Sequence, residues 1–236
     1  MPNNYFNFKQ FRINQQGSAF KVGTDGVLLG AYAGIEGAES VLDIGAGTGL
    51  ISLMIAQRSK ASITAIEPDY NSYLQACENA SNSPWRDRIF VRHSDFQNFD
   101  SAGSKYDLIV TNPPYFQNSL KNPDPRKSSA RHNDTLTTGE ILTGVIKFMK
   151  DDGNLQIILP YVEGNIFIAE AAVFGLYCNN TLKIKPLPSA EIRRLILRFS
   201  KFQKKPTENF LTIEHGNRHE FTEDYINLTK DFYLKF

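Results

Sequence analysis

Cysteine is scarce. The 236 residues include two, Cys77 and Cys178, far apart and with no Cys-x-x-Cys spacing. That leaves no basis for a disulfide scaffold or a cysteine-built zinc site, and the expected compartment is a reducing cytoplasm. Long apolar runs are missing as well. The best stretch, Ile166 to Tyr177, is short and carries Glu170, whereas a membrane-spanning helix needs about 18 or more apolar residues. The opening segment MPNNYFNFKQFRINQQ has no apolar run, so a secretory leader is not expected. Histidine offers no metal site. His215 and His219 are four apart, but Gly216-Asn217 between them reads as a turn and no third ligand is in view, so no metal is expected.

What the chain does contain is an ordinary globular balance, 41% hydrophobic and 22% charged, enough to build a core at this length. The net charge of +1 is unevenly spread. Leu182 to Lys205 holds eight Lys/Arg against Glu191, and Lys121 to Asn133 holds four against Asp124. Asp151 to Thr181 carries four acids and no Lys or Arg. Such asymmetry on a near-neutral protein fits either a polyanion-binding face or a solvated charged face.

Short apolar runs alternate with helical patterns. Strands are expected at Val41–Ile44, Ser62–Ile66, Ile89–Arg92, Tyr106–Thr111 and Asn154–Leu159. Helices are expected at Leu50–Gln57, Tyr70–Ala80, Thr138–Met149 and Glu163–Phe174. This order implies right-handed βαβ units and a mostly parallel sheet. The pattern breaks at Thr181–Lys185 and Arg193–Lys201, two strand-like runs joined through Pro186-Leu187-Pro188. No helix fits in that gap, so the pair should be antiparallel. The segment Phe116 to Thr135, rich in Asn, Pro, Ser and charge, is the longest expected loop.

The run Val41-Leu-Asp-Ile-Gly45-Ala-Gly47-Thr-Gly49-Leu50 follows a strand and opens a helix. Its glycines allow a sharp turn and close ligand approach. The spacing is Gly-x-Gly-x-Gly, not the Gly-x-Gly-x-x-Gly of dinucleotide binders. Asp43 would repel a pyrophosphate but suits a ligand carrying an ammonium group. Glu67 ends the next strand, where a carboxylate accepts from both hydroxyls of a ribose. An adenosine with a cationic amino-acid tail, S-adenosylmethionine, meets both demands. Asp95 and Phe96, after the third strand, are candidates to hold and cover the adenine.

Thr111-Asn112-Pro113-Pro114-Tyr115-Phe116 closes the fourth strand. Two prolines remove two donors and stiffen the backbone into an extended elbow. The Asn112 side-chain oxygen and the Pro113 carbonyl can then accept both hydrogens of a planar amino group. Tyr115 and Phe116 offer faces on which a base can stack. Asn112, Pro113 and Tyr115 are therefore the candidate catalytic residues, with Asn112 also beside the cofactor.

Together, DIGAGTG, Glu67, Asp95-Phe96 and NPPY resemble the class I S-adenosylmethionine-dependent methyltransferases that act on planar amino groups. That resemblance implies a Rossmann-like α/β fold with a seven-stranded, mostly parallel sheet whose last strand is antiparallel. Phe8-Lys-Gln-Phe11, Lys21-Val-Gly-Thr-Asp-Gly-Val-Leu-Leu-Gly30 and Leu228 to Leu234 narrow it. They look like the bacterial tRNA(Val) adenine-N6 methyltransferases, which modify the adenine just 3′ of the anticodon. The resemblance implies one methyltransferase domain over 1–236: an N-terminal segment, 1–40, lying over the cofactor, a core, 41–205, and a C-terminal extension, 206–236. It adds Lys21, Gly23 and Thr24 to the expected cofactor site beside Asp43, Gly45, Gly47, Glu67, Asp95 and Phe96. A tRNA partner is implied, with no membrane and no obligate protein partner. Arg126, Lys127, Arg131, His132, Lys201, Lys204 and Lys205 are the candidate RNA-binding residues, with Tyr115 and Phe116.

Three other functions compete. A protein-glutamine N5-methyltransferase acting on a release factor needs the same elbow, but those enzymes carry a helical domain ahead of the glycine motif. A DNA adenine methyltransferase normally needs a separate recognition domain. A non-enzymatic RNA-binding module would have no use for an intact Asn112-Pro-Pro-Tyr115.

Overall fold

The computed structural model describes residues 3–18, 21–114 and 136–236. The chain begins with a two-stranded antiparallel hairpin, β1 (Tyr5–Asn7) and β2 (Arg12–Asn14). Helix α1 (Thr24–Tyr32) leads to β3 (Ser40–Ile44), α2 (Leu50–Arg58), β4 (Ser62–Glu67), α3 (Tyr70–Ser81) and β5 (Ile89–His93). Then come β6 (Tyr106–Thr111), α4 (Thr138–Phe148), β7 (Met149–Pro160), α5 (Tyr161–Val173), β8 (Tyr177–Lys185), β9 (Arg194–Ser200), β10 (Thr207–Thr212) and α6 (Glu223–Thr229).

The large sheet has the order β10-β8-β9-β7-β6-β3-β4-β5. Every neighbouring pair is parallel except those of β9, which runs antiparallel to both β7 and β8. The alternation of apolar runs and helical patterns thus produced the expected topology, with one correction. The sheet has eight strands, not seven, because β10 adds to β8 in parallel. Of its six residues only Leu211 is buried, so no apolar alternation marks it in the sequence.

Side chains alternate across the sheet and build a core on each face. Val41 joins the core beneath α1, α2 and the terminal segments, while Leu42 and Ile44 join the core beneath α4 and α5. Asp43 shares the parity of Val41 and therefore points toward α2. Helix α4 starts at a capping box: Thr137 Oγ1 accepts from the Glu140 amide and Glu140 Oε2 accepts from the Thr137 amide at 2.7 Å.

Helix α1 carries two glycines and no clear amphipathic signal, and periodicity alone does not reveal it. Its glycines are explained by its neighbour. A Cβ on Gly26 would stand 3.0 Å from Leu50 Cδ2, and one on Gly30 would stand 2.8 Å from Met54 Sδ and 2.9 Å from Met54 Cβ. Four-residue spacing on both helices lets α1 and α2 cross closely, glycine against side chain. Among the described residues, no helix is long and apolar enough to cross a membrane.

Candidate active site

Parallel strands end together, and that brings the predicted residues to one edge. Ile44 is level with Ile66 and Thr111, and Glu67 is level with His93. Asp43, the glycine turn, Glu67 and Asn112 therefore share the carboxyl edge of β3, β4 and β6, the usual ligand position in open α/β sheets.

Gly45, Gly47 and Gly49 all have positive φ, at 69°, 58° and 82°. Gly45 and Ala46 donate to the Ile66 carbonyl, which folds the turn back onto β4. An added Cβ at Gly45 or Gly47 would meet no protein atom within 4 Å, so the turn borders open space. At Gly49 it would touch Ala76 of α3, so this glycine serves packing.

Asp43 is fully buried. Its Oδ2 accepts from the Ser52 amide at 3.1 Å and from the Ser52 hydroxyl at 2.7 Å, tying β3 to the first turn of α2. Its Oδ1 has no hydrogen-bond partner. Burial pushes the carboxyl up to about 6, against the pull of the Ser52 bonds and with the help of Glu67 nearby. Glu67 is also buried. Its Oε2 accepts from the Gly47 amide at 2.8 Å and its Oε1 from the Asp69 amide at 2.9 Å. Burial raises its pKa, and the two amides work in the opposite direction. Each carboxylate oxygen can accept a further bond. The unpartnered, buried oxygen of Asp43 leaves a carboxylate that a nearby cationic group would stabilise in its ionised form. The remaining capacity of Glu67 fits ribose hydroxyls, and the Cβ-free turn leaves room for both. The chemistry of these residues fits S-adenosylmethionine.

At the elbow, Thr111 Oγ1 donates to the Ile44 carbonyl at 2.9 Å, fastening the end of β6 to the glycine turn. Asn112 is half-buried and Pro113 buried. The first turn of α1 lies beside them, with the Gly26 Cβ position 4.0 Å from Asn112 Nδ2. Gly23 is the N-cap of α1 and Thr24 its first residue. Lys21 is held just ahead of them by the Gln15 carbonyl. The segment expected to cover the cofactor therefore borders the elbow.

Asp95 accepts from the Asn98 amide at 2.8 Å and from Asn98 Nδ2 at 3.0 Å, as a turn residue does. Phe96 is not presented to the edge. It is 4% exposed and packs on Phe148 and Gly144, where an added Cβ would come within 2.4 Å of its ring. Phe96 stands in the turn that follows β5, and that turn sends its ring to the core beneath α4.

Tyr115, Phe116, Arg126, Lys127, Arg131 and His132 lie outside the described residues. The other basic candidates are not brought together with the elbow. Leu155 of β7 faces Phe199 and Pro160 faces Arg194, so Lys201 lies at the opposite end of β9, roughly 20 Å along the strand. Its Nζ binds Asp151 Oδ1 at 2.9 Å and the Met149 carbonyl. Lys204 and Lys205 are exposed at that same amino edge. Three cations of the basic stretch are in ion pairs: Lys183 with Glu208, Arg194 with Asp25 and Lys201 with Asp151. His215 and His219 flank a tight turn, and no cluster of three metal-ligating side chains occurs among the described residues.

Asn79 escaped sequence reasoning. It is buried on α3, and its Nδ2 donates to the carbonyls of Asn14 and Thr48 while its Oδ1 accepts from the Asn14 amide. One carboxamide thereby joins the N-terminal hairpin to the glycine turn. An uncharged polar residue on the apolar side of an otherwise amphipathic helix was its one signal.

Comparison with known proteins agrees with this geometry. Residues 27–161 match the methyltransferase small domain family. An Agrobacterium tumefaciens structure described as a predicted O-methyltransferase superposes with a TM-score of 0.65 at 19% identity, covering 88% of this chain and 96% of that one. At that identity the likeness concerns the fold. Two curated relatives are far more similar in sequence. The tRNA1(Val) (adenine(37)-N6)-methyltransferase of Trichodesmium erythraeum is 44% identical over 100% of both chains. The protein of the same name from Bacteroides fragilis is 42% identical, again over 100% of both. Identity of that order over full length exceeds what a shared fold alone produces, and the chain belongs to the tRNA1(Val) (adenine(37)-N6)-methyltransferase family.

Proposed function

We propose that this protein transfers a methyl group from S-adenosylmethionine to the exocyclic N6 of an adenine in tRNA, the adenine 3′ of the anticodon in tRNA(Val). The observation that carries this reading is the Asn112-Pro113-Pro114 elbow, fastened by Thr111 to the same edge as Asp43 and Glu67. Full-length similarity to enzymes bearing that name supports the substrate.

Asp43 serves the ammonium of the cofactor and Glu67 its ribose, with Gly45 and Gly47 leaving space for its backbone-side approach. Lys21, Gly23 and Thr24, which lead into α1 beside the elbow, are assigned to the cofactor as well, and Asp95, in the turn after β5, to its adenine. The bound cofactor supplies an electrophilic methyl group on a sulfonium. The protein's own task is then mainly to position the acceptor. The target adenine leaves its stack, at a cost of a few kcal/mol, less in a loop than in a duplex. The Asn112 side-chain oxygen and the Pro113 carbonyl accept the two N6 hydrogens. That holds the amine with its lone pair toward the methyl group instead of spread into the ring. With the cofactor bound, its sulfonium would supply the methyl group and the leaving group, and the acceptor nitrogen would lose its surplus proton after transfer, so no strong general base is required of the protein. Tyr115 provides the stacking face. The reading as one catalytic domain over 1–236 goes with this function.

Nucleoside mass spectrometry tests the proposal. Transfer RNA from a strain lacking the gene should lose N6-methyladenosine, and purified protein should restore it to an unmodified tRNA(Val) transcript. Methylglutamine in a release factor, with no methyladenosine in tRNA, would replace the substrate assignment.

A further inference from the structure

Asp25 is part of the sequence motif ahead of β3, yet the chemistry above gives it no task. In the structure Arg194 Nε donates to Asp25 Oδ2 at 2.8 Å, across 169 residues of chain. The pair is half-buried, with the two side chains 30% and 21% exposed. Its two ends differ in rigidity. Arg194 belongs to β9, hydrogen-bonded on both sides, opposite Pro160 of β7 and Ile184 of β8. Asp25 stands in the first turn of α1, whose N-cap, Gly23, offers no side-chain cap. The next residue, Gly26, borders both Asn112 Nδ2 and Leu50, the residue that follows the glycine turn. From Gly26 on, α1 is buried against α2, but its first two residues are not: Thr24 is exposed and Asp25 half-buried.

We propose that the Asp25–Arg194 pair is a latch that seats the first turn of α1 against the Asn112 elbow and so completes the wall of the acceptor pocket. Both are assigned here as positioning residues, acting through the first turn of α1. The proposal rests on the methyl-transfer reading for its rate effects. A half-buried pair anchored on a central strand can perform this task better than an exposed one, because water competes less for its partners and screening is weaker. The acid also suits a helix N-terminus, so replacing it weakens the helix as well as the pair. A double-mutant cycle separates those two effects.

Asp25→Asn, Arg194→Gln and the double variant are compared with the parent protein in single-turnover methylation of a tRNA transcript at saturating S-adenosylmethionine. Each single change is expected to slow transfer by about tenfold, and the double variant should be no slower than the slower single one, as for residues that act as a unit. Cofactor affinity by calorimetry should weaken by about threefold or more, since Lys21, Gly23 and Thr24 stand in the loosened segment, and saturating S-adenosylmethionine keeps that loss out of the measured rate. Arg194→Lys keeps a cation in place and should recover most of the rate. Hydrogen exchange without substrate should show faster uptake in 21–32 and unchanged uptake in α2, a readout that a failed substrate assignment leaves intact. Unchanged exchange with a rate close to the parent's overturns the latch, as does a double variant whose loss is the product of the two singles. If Arg194→Gln does not fold, the near-isosteric Asp25→Asn carries both measurements. Variants that exchange as expected, together with a parent protein that methylates no tRNA, overturn the function and leave the latch standing.

Discussion

The Gly47 amide donates to Glu67 Oε2 at 2.8 Å, so the end of β4 holds the glycine turn that follows β3. The same carboxylate also receives the Asp69 amide at the start of α3. A side chain expected from sequence to meet a ligand is therefore also part of the frame around that ligand. Sequence distance of 20 residues becomes direct contact because parallel neighbours β3 and β4 end together.

Glu67→Ala removes the brace of the turn and, in the proposed function, the partner of the ribose. S-adenosylmethionine affinity measured by calorimetry should fall by about 1–3 kcal/mol, the scale of charge-assisted hydrogen bonds. Unchanged affinity would remove Glu67 from the site.

Asn112→Ala should abolish most methyl transfer in a single-turnover assay and leave cofactor affinity nearly intact, because in the proposed mechanism its acceptor serves the substrate amine. Parent-like rates in that variant would exclude the amine-holding elbow.

Asp43 introduces a pH dependence whose sign is fixed. Its carboxyl titrates near 3.8 in an unfolded chain and about 6 in the fold. Between those values the native state holds more protons than the unfolded one, so this group's contribution to stability falls as pH rises through the window and levels off above it. Denaturant titrations of the cofactor-free protein should show that slope, and Asp43→Asn should flatten it. A cationic ligand favours the ionised form, so S-adenosylmethionine should bind more tightly as pH rises through about 6, with proton release visible in calorimetry. A flat affinity profile would place the ammonium away from Asp43.

Transfer RNA binding should weaken steeply with salt. Arg193 is exposed just before β9 at the carboxyl edge, and its replacement by Ala should lower the salt slope by about one. Lys204 and Lys205 occupy the opposite edge, and replacing them should leave the slope nearly unchanged. The reverse ranking, read from filter binding over a salt series, would move the RNA path to the amino edge.

Much was legible before any coordinate. Val41–Ile44, Ser62–Ile66 and Tyr106–Thr111 are buried over most of their length, so they read as short, mainly apolar runs, and Gly45-x-Gly47-x-Gly49 needs glycine for its positive φ. Asn112-Pro-Pro114 states its own stiffness. These are local properties, carried by the residues that show them. Four features were decided only by tertiary structure. Helix α1 depends on α2, since Gly26 and Gly30 are poor helix formers until Leu50 and Met54 fill the space beside them. Strand β10 exists because β8 offers an open edge. Phe96 faces the core because Gly144 leaves room for its ring. The cations of the basic stretch are divided between the two ends of β9 and among Asp25, Asp151 and Glu208, because a strand separates by distance what the sequence places side by side. Charge counts along a chain carry no direction, and direction here comes from the sheet.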